Sequence, residues 1–151
     1  MTRTRLILIA TLGSALLLAG AWTFQFLGYA PCKLCHWQRW PHYAAVGIGA
    51  AALLTGLRIL PWAGALAAAA TATVGVYHTG VEQKWWLGPT TCTSGSVAGL
   101  SADDLLAQIN NAPLVRCDEV AWALAGISMA SWNAIFSAAL VLVWIAAARR
   151  A

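Results

Sequence analysis

Charge is what this chain has least of. Nine Lys and Arg and five Asp and Glu make up 9% of its 151 residues, against about a quarter in ordinary soluble domains. So few charged side chains cannot dress the surface of a 15.9 kDa globule, so a conventional soluble fold is excluded. The net charge of +4 and pI near 9.2 look basic, but the basic residues stand singly or in pairs. No stripe for a nucleic-acid backbone exists. Internal repeats and low-complexity linkers are also missing, which leaves a single domain over residues 1–151. What the chain has in abundance is apolar residues, 60% of the total, far too many for disorder. A membrane protein in contact with lipid is the class that remains.

A transmembrane helix needs about 20 mostly apolar residues, and four such runs are present, at about 6–27, 36–57, 60–80 and 120–148. The first is uncharged and has Trp22, Phe24, Gln25 and Phe26 where a signal peptide would need its cleavage site, so it is expected to stay as a span. Measured from Trp40, the second run would be only about 27 Å long at 1.5 Å per residue; begun at Cys35 it crosses comfortably, with Pro41 as a kink or first-turn proline. Gly47, Gly49, Ala67 to Ala70 and Gly75 supply the small residues that let helices pack closely in lipid. The expected fold is all-α, a four-transmembrane-helix bundle.

Four spans put both termini on one side. Arg3, Arg5, Arg58, Arg149 and Arg150 fall there with no acid, whereas Lys33, Arg39, Lys84 and Arg116 share the other side with all five acids. The first side's short loops are richer in Lys and Arg per residue, so both termini are expected in the cytoplasm. Trp62 and Trp144 then lie at the inner interface, and Trp37, Trp40, Trp85, Trp86 and Trp122 at the outer one.

This topology gathers the chemistry. Cys32, Cys35, Cys92 and Cys117 all fall in the two outer loops, about 28–35 and 81–119, on the side where oxidised thiols persist. Cys32-Lys33-Leu34-Cys35 is a tight pair at the mouth of span two, where a helix N-terminus favours thiolates; Cys92 and Cys117 lie 25 positions apart, and four cysteines allow three pairings. Arg39, one turn beyond Cys35 on the same helix face, is placed to stabilise a thiolate or a polar ligand head. Three other readings compete. Cys32-x-x-Cys35-His36 matches the attachment motif of a membrane-anchored c-type cytochrome, but haem leaves Cys92 and Cys117 unexplained. A four-cysteine zinc site lacks a second close pair, so no metal is expected. Two purely structural disulfides would staple a bundle that hardly needs stapling.

The stretch Pro31-Cys32-Lys33-Leu34-Cys35-His36-Trp37-Gln38-Arg39 resembles the P-C-x-L-C-x-x-[QE]-R signature of the DsbB family, bacterial membrane thiol:quinone oxidoreductases. The order of features resembles that family too: four spans, the CxxC before span two, His78 ending span three, and a cysteine pair in the long outer loop. In the related vitamin K epoxide reductases the redox CxxC follows the loop pair, so the order here points to DsbB. Within the signature, His36 and Gln38 look variable.

The resemblance implies an inner-membrane enzyme with periplasmic cysteines that reoxidises a DsbA-like dithiol oxidase and delivers the electrons to ubiquinone or menaquinone. Cys92 takes the mixed disulfide, Cys117 attacks Cys32, Cys35 reduces the quinone, and Arg39 holds the quinone oxygen. An exposed or strained loop disulfide suits such exchange. His78 either assists the quinone site or caps span three, with Glu82 four residues on as its partner. Ser101-Ala-Asp-Asp104 opens like a capping box, followed by Leu105, Leu106 and Ile109; a short interfacial helix ending before Pro113 is expected, positioning Cys117 and leaving the Cys92 arm mobile.

Overall fold

In the computed structural model, residues 1–93, 99, 101–110 and 115–150 are described. Four long helices dominate: α1 (Arg3–Phe26), α2 (Lys33–Thr55), α3 (Leu60–Glu82) and α5 (Met129–Ala148), with a short α4 (Ala102–Asn110) between the last two. At 1.5 Å per residue the long helices measure about 30 to 36 Å. α1 and α3 each pack along both α2 and α5, giving a four-sided bundle. α1, α3 and α5 are long and apolar enough to cross a membrane. α2 is 23 residues long, but Lys33, His36, Gln38, Arg39 and His42 dilute its apolar character.

The bundle is inside out relative to a soluble one. Its buried faces are rich in small or polar residues (Ala10, Ser14, Ala45, Gly49, Ala68, Thr71, Gly75, Ala134, Ser137), whereas Leu16, Leu54, Leu66 and Leu142 lie on the outside at 70% exposure or more. Lipid tails are as apolar as leucine, so helices gain from close backbone approach rather than from hiding leucines. Gly75 shows that approach: a Cβ there would meet the Ala134 backbone at 3.1 Å. At Gly64 an added Cβ would meet three ring atoms of Trp144 at 2.6 to 2.7 Å. Trp144 is fully buried and joins Ile7, Ala65 and Leu140 in the core. Its expected place in an interfacial belt is therefore corrected: with glycine opposite, the core has room for an indole. Trp62 does lie on the outside.

At one end of the bundle Arg3 donates to the carbonyls of Gly56 (3.0 Å) and Leu57 (2.7 Å), and Arg150 donates to the Met1 carbonyl. The termini and the α2–α3 turn are thus tied together, and Gly56 ends α2 in the left-handed conformation (φ 69°) that favours glycine. At the opposite end lie the cysteines. The last apolar run, expected as helix from about Val120, becomes helical only at Met129. Ala123–Leu124 (β1) and Ile127–Ser128 (β2) pair first as a two-stranded hairpin, turned through left-handed Ala125 and Gly126. Ser128 then caps α5, its Oγ accepting from the Ser131 amide. Of the capping box expected at α4 the Ser101 half forms, its Oγ accepting from the Asp104 amide at 3.2 Å, while the Asp104 carboxylate accepts from the Ser101 hydroxyl at 2.6 Å rather than from the Ser101 amide. The expected stop before Pro113 lies outside the described residues.

Candidate functional site

Cys32 is the N-cap of α2: its Sγ accepts from the Cys35 amide at 3.1 Å. That cap is what the CxxC spacing dictates, because an N-cap side chain reaches the amide three residues on. It brings the two sulfurs to 2.7 Å in the dithiol form. Cys92 and Cys117 form a disulfide with Cα atoms 5.3 Å apart. Cys92 and Cys117, 1% and 0% exposed, pack with Cys32, Leu34 and Val81 in one apolar cluster. The expected exposed pair is thereby corrected. The loop disulfide is docked on the dithiol, because Leu34 and Val81 offer it an apolar seat at the mouth of the bundle.

Hydrogen bonds hold the loop there. The Cys117 amide donates to the Cys92 carbonyl at 2.7 Å, and Lys33 Nζ donates to Thr91 Oγ1 at 3.0 Å. Lys84 and Arg116 clamp Asp118, with Nζ 2.7 Å and Nη2 2.8 Å from the same carboxylate oxygen. The Arg116 hydrogen bond first, and Lys84 after it, hold the Asp118 carboxyl well below the usual carboxylate range. Since folding lowers this pKa, the clamp is complete above the ordinary value near 3.8 and is lost only as pH falls below it. Amide-exchange protection of residues 115–119 is accordingly expected to stay level from pH 8 to pH 5. Asp118→Asn should reduce that protection throughout this range.

His78, 3% exposed, sits between the two cysteine pairs. Its Nε2 is 3.2 Å from the Cys117 carbonyl oxygen, 3.6 Å from Cys32 Sγ and 3.9 Å from Glu82 Oε1. Glu82 thus lies beside His78 on the same face, as the i, i+4 spacing predicts, at contact rather than hydrogen-bond distance. Glu82 also accepts from Ser128 Oγ at 2.5 Å, which ties the end of α3 to the start of α5. Gln38 donates to His78 Nδ1 at 2.8 Å; it is buried and a built part of the site. Sequence reasoning missed Gln38, His42, Thr71 and Asn133. The signal was available, since polar groups inside apolar spans are functional candidates by default.

Arg39 is buried and anchored on α1, donating to Gln25 Oε1 at 2.7 Å and to the Ala21 carbonyl at 3.1 Å. Its guanidinium lies 5.4 Å from the Trp22 ring centre. Arg39, Cys32, Cys35 and His78 all line a cavity of about 370 Å³ whose remaining wall is largely apolar, including Leu17, Phe24 and Phe136. That is the size and character of a pocket for an organic ring. Among the described residues, Cys32, Cys35 and His78 also place their donor atoms within 4.8 Å of one another. A thiophilic cation would need the lone pair of Nε2; with Gln38 donating to Nδ1, the neutral ring carries its proton on Nε2. His36 is exposed on the outer side of α2, apart from this cavity.

A disulfide docked on a second, closely spaced cysteine pair at one end of a lipid-facing bundle defines a membrane protein that handles disulfides. The family model for disulfide bond formation protein DsbB matches residues 3–147. Disulfide bond formation protein B of Verminephrobacter eiseniae (strain EF01-2) is 32% identical over 162 aligned residues, covering 95% of this chain and 84% of that protein. No solved structure matches. The chain belongs to the DsbB family, which makes it a disulfide-forming oxidoreductase of the inner membrane. Family membership sets the cytochrome reading aside.

Proposed function

We propose that this chain reoxidises a periplasmic DsbA-like dithiol oxidase and passes the electrons through its two cysteine pairs to ubiquinone or menaquinone. The observation that carries this reading is the contact between the pairs: a disulfide, Cys92–Cys117, packed on a dithiol, Cys32/Cys35, beside a ring-sized cavity. Here α2 acts as the fourth span, both termini are cytoplasmic, and the cysteines and an interfacial α4 are periplasmic.

A partner thiolate attacks Cys92, forming a mixed disulfide and releasing Cys117 as a thiolate. Cys117 attacks Cys32 of the oxidised CxxC; the Cys32–Cys117 bond forms, the Cys32–Cys35 bond breaks, and Cys35 leaves with the electron pair. The partner's second thiol closes its own disulfide and frees Cys92. Cys92 then regenerates the loop disulfide, leaving Cys32 and Cys35 both reduced. A Cys92–Cys117 disulfide beside a separate Cys32/Cys35 pair is the arrangement this reading expects once the loop disulfide has re-formed. Because Cys92 is shielded in it, a partner must lift the loop to reach the sulfur.

A quinone bound in the cavity would accept two electrons and two protons. Cys35 lies on that cavity as the electron donor, Arg39 supplies a cationic donor to a quinone oxygen, and the apolar wall holds the ring and excludes water. The test is anaerobic quinone reduction by the purified protein, driven by a reduced DsbA-type protein. Wild type is expected to turn over and Cys35→Ser to be inactive; no turnover with any quinone would end the proposal. Arg39→Met should raise KM for quinone by about ten- to a hundredfold, the scale of a lost charge-assisted hydrogen bond. Dithiol exchange should survive in that variant, and equal loss of both activities would count against the assignment of Arg39.

A further inference from the structure

A chain of polar side chains, buried except for the half-buried Asn133, runs from the cysteines into the bundle. Gln38 Nε2 lies 2.8 Å from His78 Nδ1 and 3.3 Å from the Leu34 carbonyl oxygen. Gln38 Oε1 accepts from Asn133 Nδ2 at 2.8 Å. Asn133 Nδ2 also donates to Thr71 Oγ1 at 3.2 Å, and Thr71 donates to the Gln38 main-chain carbonyl at 2.9 Å. Asn133 Oδ1 lies 3.0 Å from His42 Nε2. Three helices, α2, α3 and α5, contribute, and every link lies within the bundle.

The direction of this chain is not free. Main-chain carbonyls only accept, so the Leu34 carbonyl requires the amide nitrogen of Gln38 to face it, and the Gln38 carbonyl requires the Thr71 hydroxyl to donate. Thr71 Oγ1 is then an acceptor toward Asn133, whose nitrogen must face it and whose oxygen must face His42. Gln38 therefore presents Oε1 to Asn133 and its amide nitrogen to His78. A nitrogen that receives an N–H donor carries no proton, so the neutral His78 ring has its proton on Nε2. That proton points at the Cys117 carbonyl and the Cys32 sulfur.

We infer that Gln38 and Asn133 are positioning residues: they hold His78 as the Nε2–H tautomer, and this ring in turn seats Cys117 against Cys32. The inference rests on the electron relay proposed above. In the other tautomer a bare Nε2 would face the Cys117 carbonyl oxygen, acceptor against acceptor, and the contact that docks the loop cysteine would be lost. His78 transfers no proton in this role. It donates a hydrogen bond to the Cys117 main chain, which holds Cys117 in the cluster it shares with Cys32 as the one S–S bond forms and the other breaks.

The test is 15N NMR of the full chain in detergent micelles with 15N-labelled histidine, His78 being assigned by loss of its signals in His78→Gln. Ring-nitrogen shifts separate a protonated from a bare nitrogen directly. Wild type at a pH where the ring is neutral should show Nε2–H alone. Gln38→Met and Asn133→Leu should each give a tautomer mixture, and Asn133→Leu does so without touching His78. Both should slow formation of the Cys32–Cys117 disulfide by about tenfold, the effect of one lost hydrogen bond. An Nδ1–H ring in wild type overturns the inference even if neither variant folds, as does an unchanged tautomer in folded Gln38→Met. A wild type with the Nε2–H ring but no quinone reduction would instead count against the relay.

Discussion

Replacing Cys117 by Ser is expected to lower turnover driven by a reduced DsbA-type protein by at least about 10³-fold, the scale on which a lost nucleophile registers. The reason is positional. In the proposed relay Cys117 is the thiol that attacks Cys32, and it lies with Cys32 and Cys92 in one apolar cluster. Oxidation of the Cys32/Cys35 dithiol by quinone does not pass through Cys117, so a single turnover of a pre-reduced Cys117→Ser protein should survive. Rapid mixing of that protein with quinone, followed by thiol quantification, separates the steps. If the single turnover is lost as well, Cys117 has a structural role beyond exchange. If steady-state turnover persists, the loop pair is not on the path.

Trp144→Ala is expected to be the most destabilising change outside the cysteines. The indole is fully buried against Gly64, and aromatic-to-alanine changes in packed cores cost about 3 to 5 kcal/mol. Lipid replaces water as the reference for the exposed side chain, but the unfilled cavity and lost dispersion contacts remain. At about 2 to 4 °C per kcal/mol for a chain of this size, the midpoint in detergent should fall by roughly 10 °C. Trp62→Ala, at a tryptophan that is 44% exposed, serves as the control and should shift the midpoint little. Equal effects of the two changes would return Trp144 to an interfacial role.

Thermal and kinetic readouts thus probe different ends of the molecule. The end that gathers Arg3, Gly56, Leu57 and Arg150 contains packing and caps. The other end contains every thiol, the Asp118 clamp and the cavity. Stability and exchange can therefore be perturbed separately.

Much of this division was legible from local pattern. Apolar runs of span length mark the long helices because each needs only its own residues to satisfy its backbone in lipid. The CxxC lies at a helix start because an N-cap side chain reaches only three residues ahead, and the nine residues from Pro31 to Arg39 were enough for the family resemblance. The Glu82–His78 contact followed from the i, i+4 spacing, and the Ser101 cap from the four residues Ser101 to Asp104. Each of these rests on neighbours along the chain.

What the residue pattern left open depends on partners distant in sequence. Trp144 looked interfacial because its burial depends on Gly64, eighty positions earlier, leaving room for it. The apolar run from Val120 reads as one helix, yet it begins as a hairpin, because a turn at Ala125-Gly126 and a cap at Ser128 interrupt it where α5 meets Glu82. The loop disulfide looked exposed because its seat is built from Leu34 and Val81 on two other helices. Gln38 looked variable because its partners are 40 and 95 positions away. Local spacing determines which segments become helices and where their ends are capped; only packing between helices decides which side chains meet, and in this protein the redox pairs, the histidine between them and the chain that orients it are all such meetings.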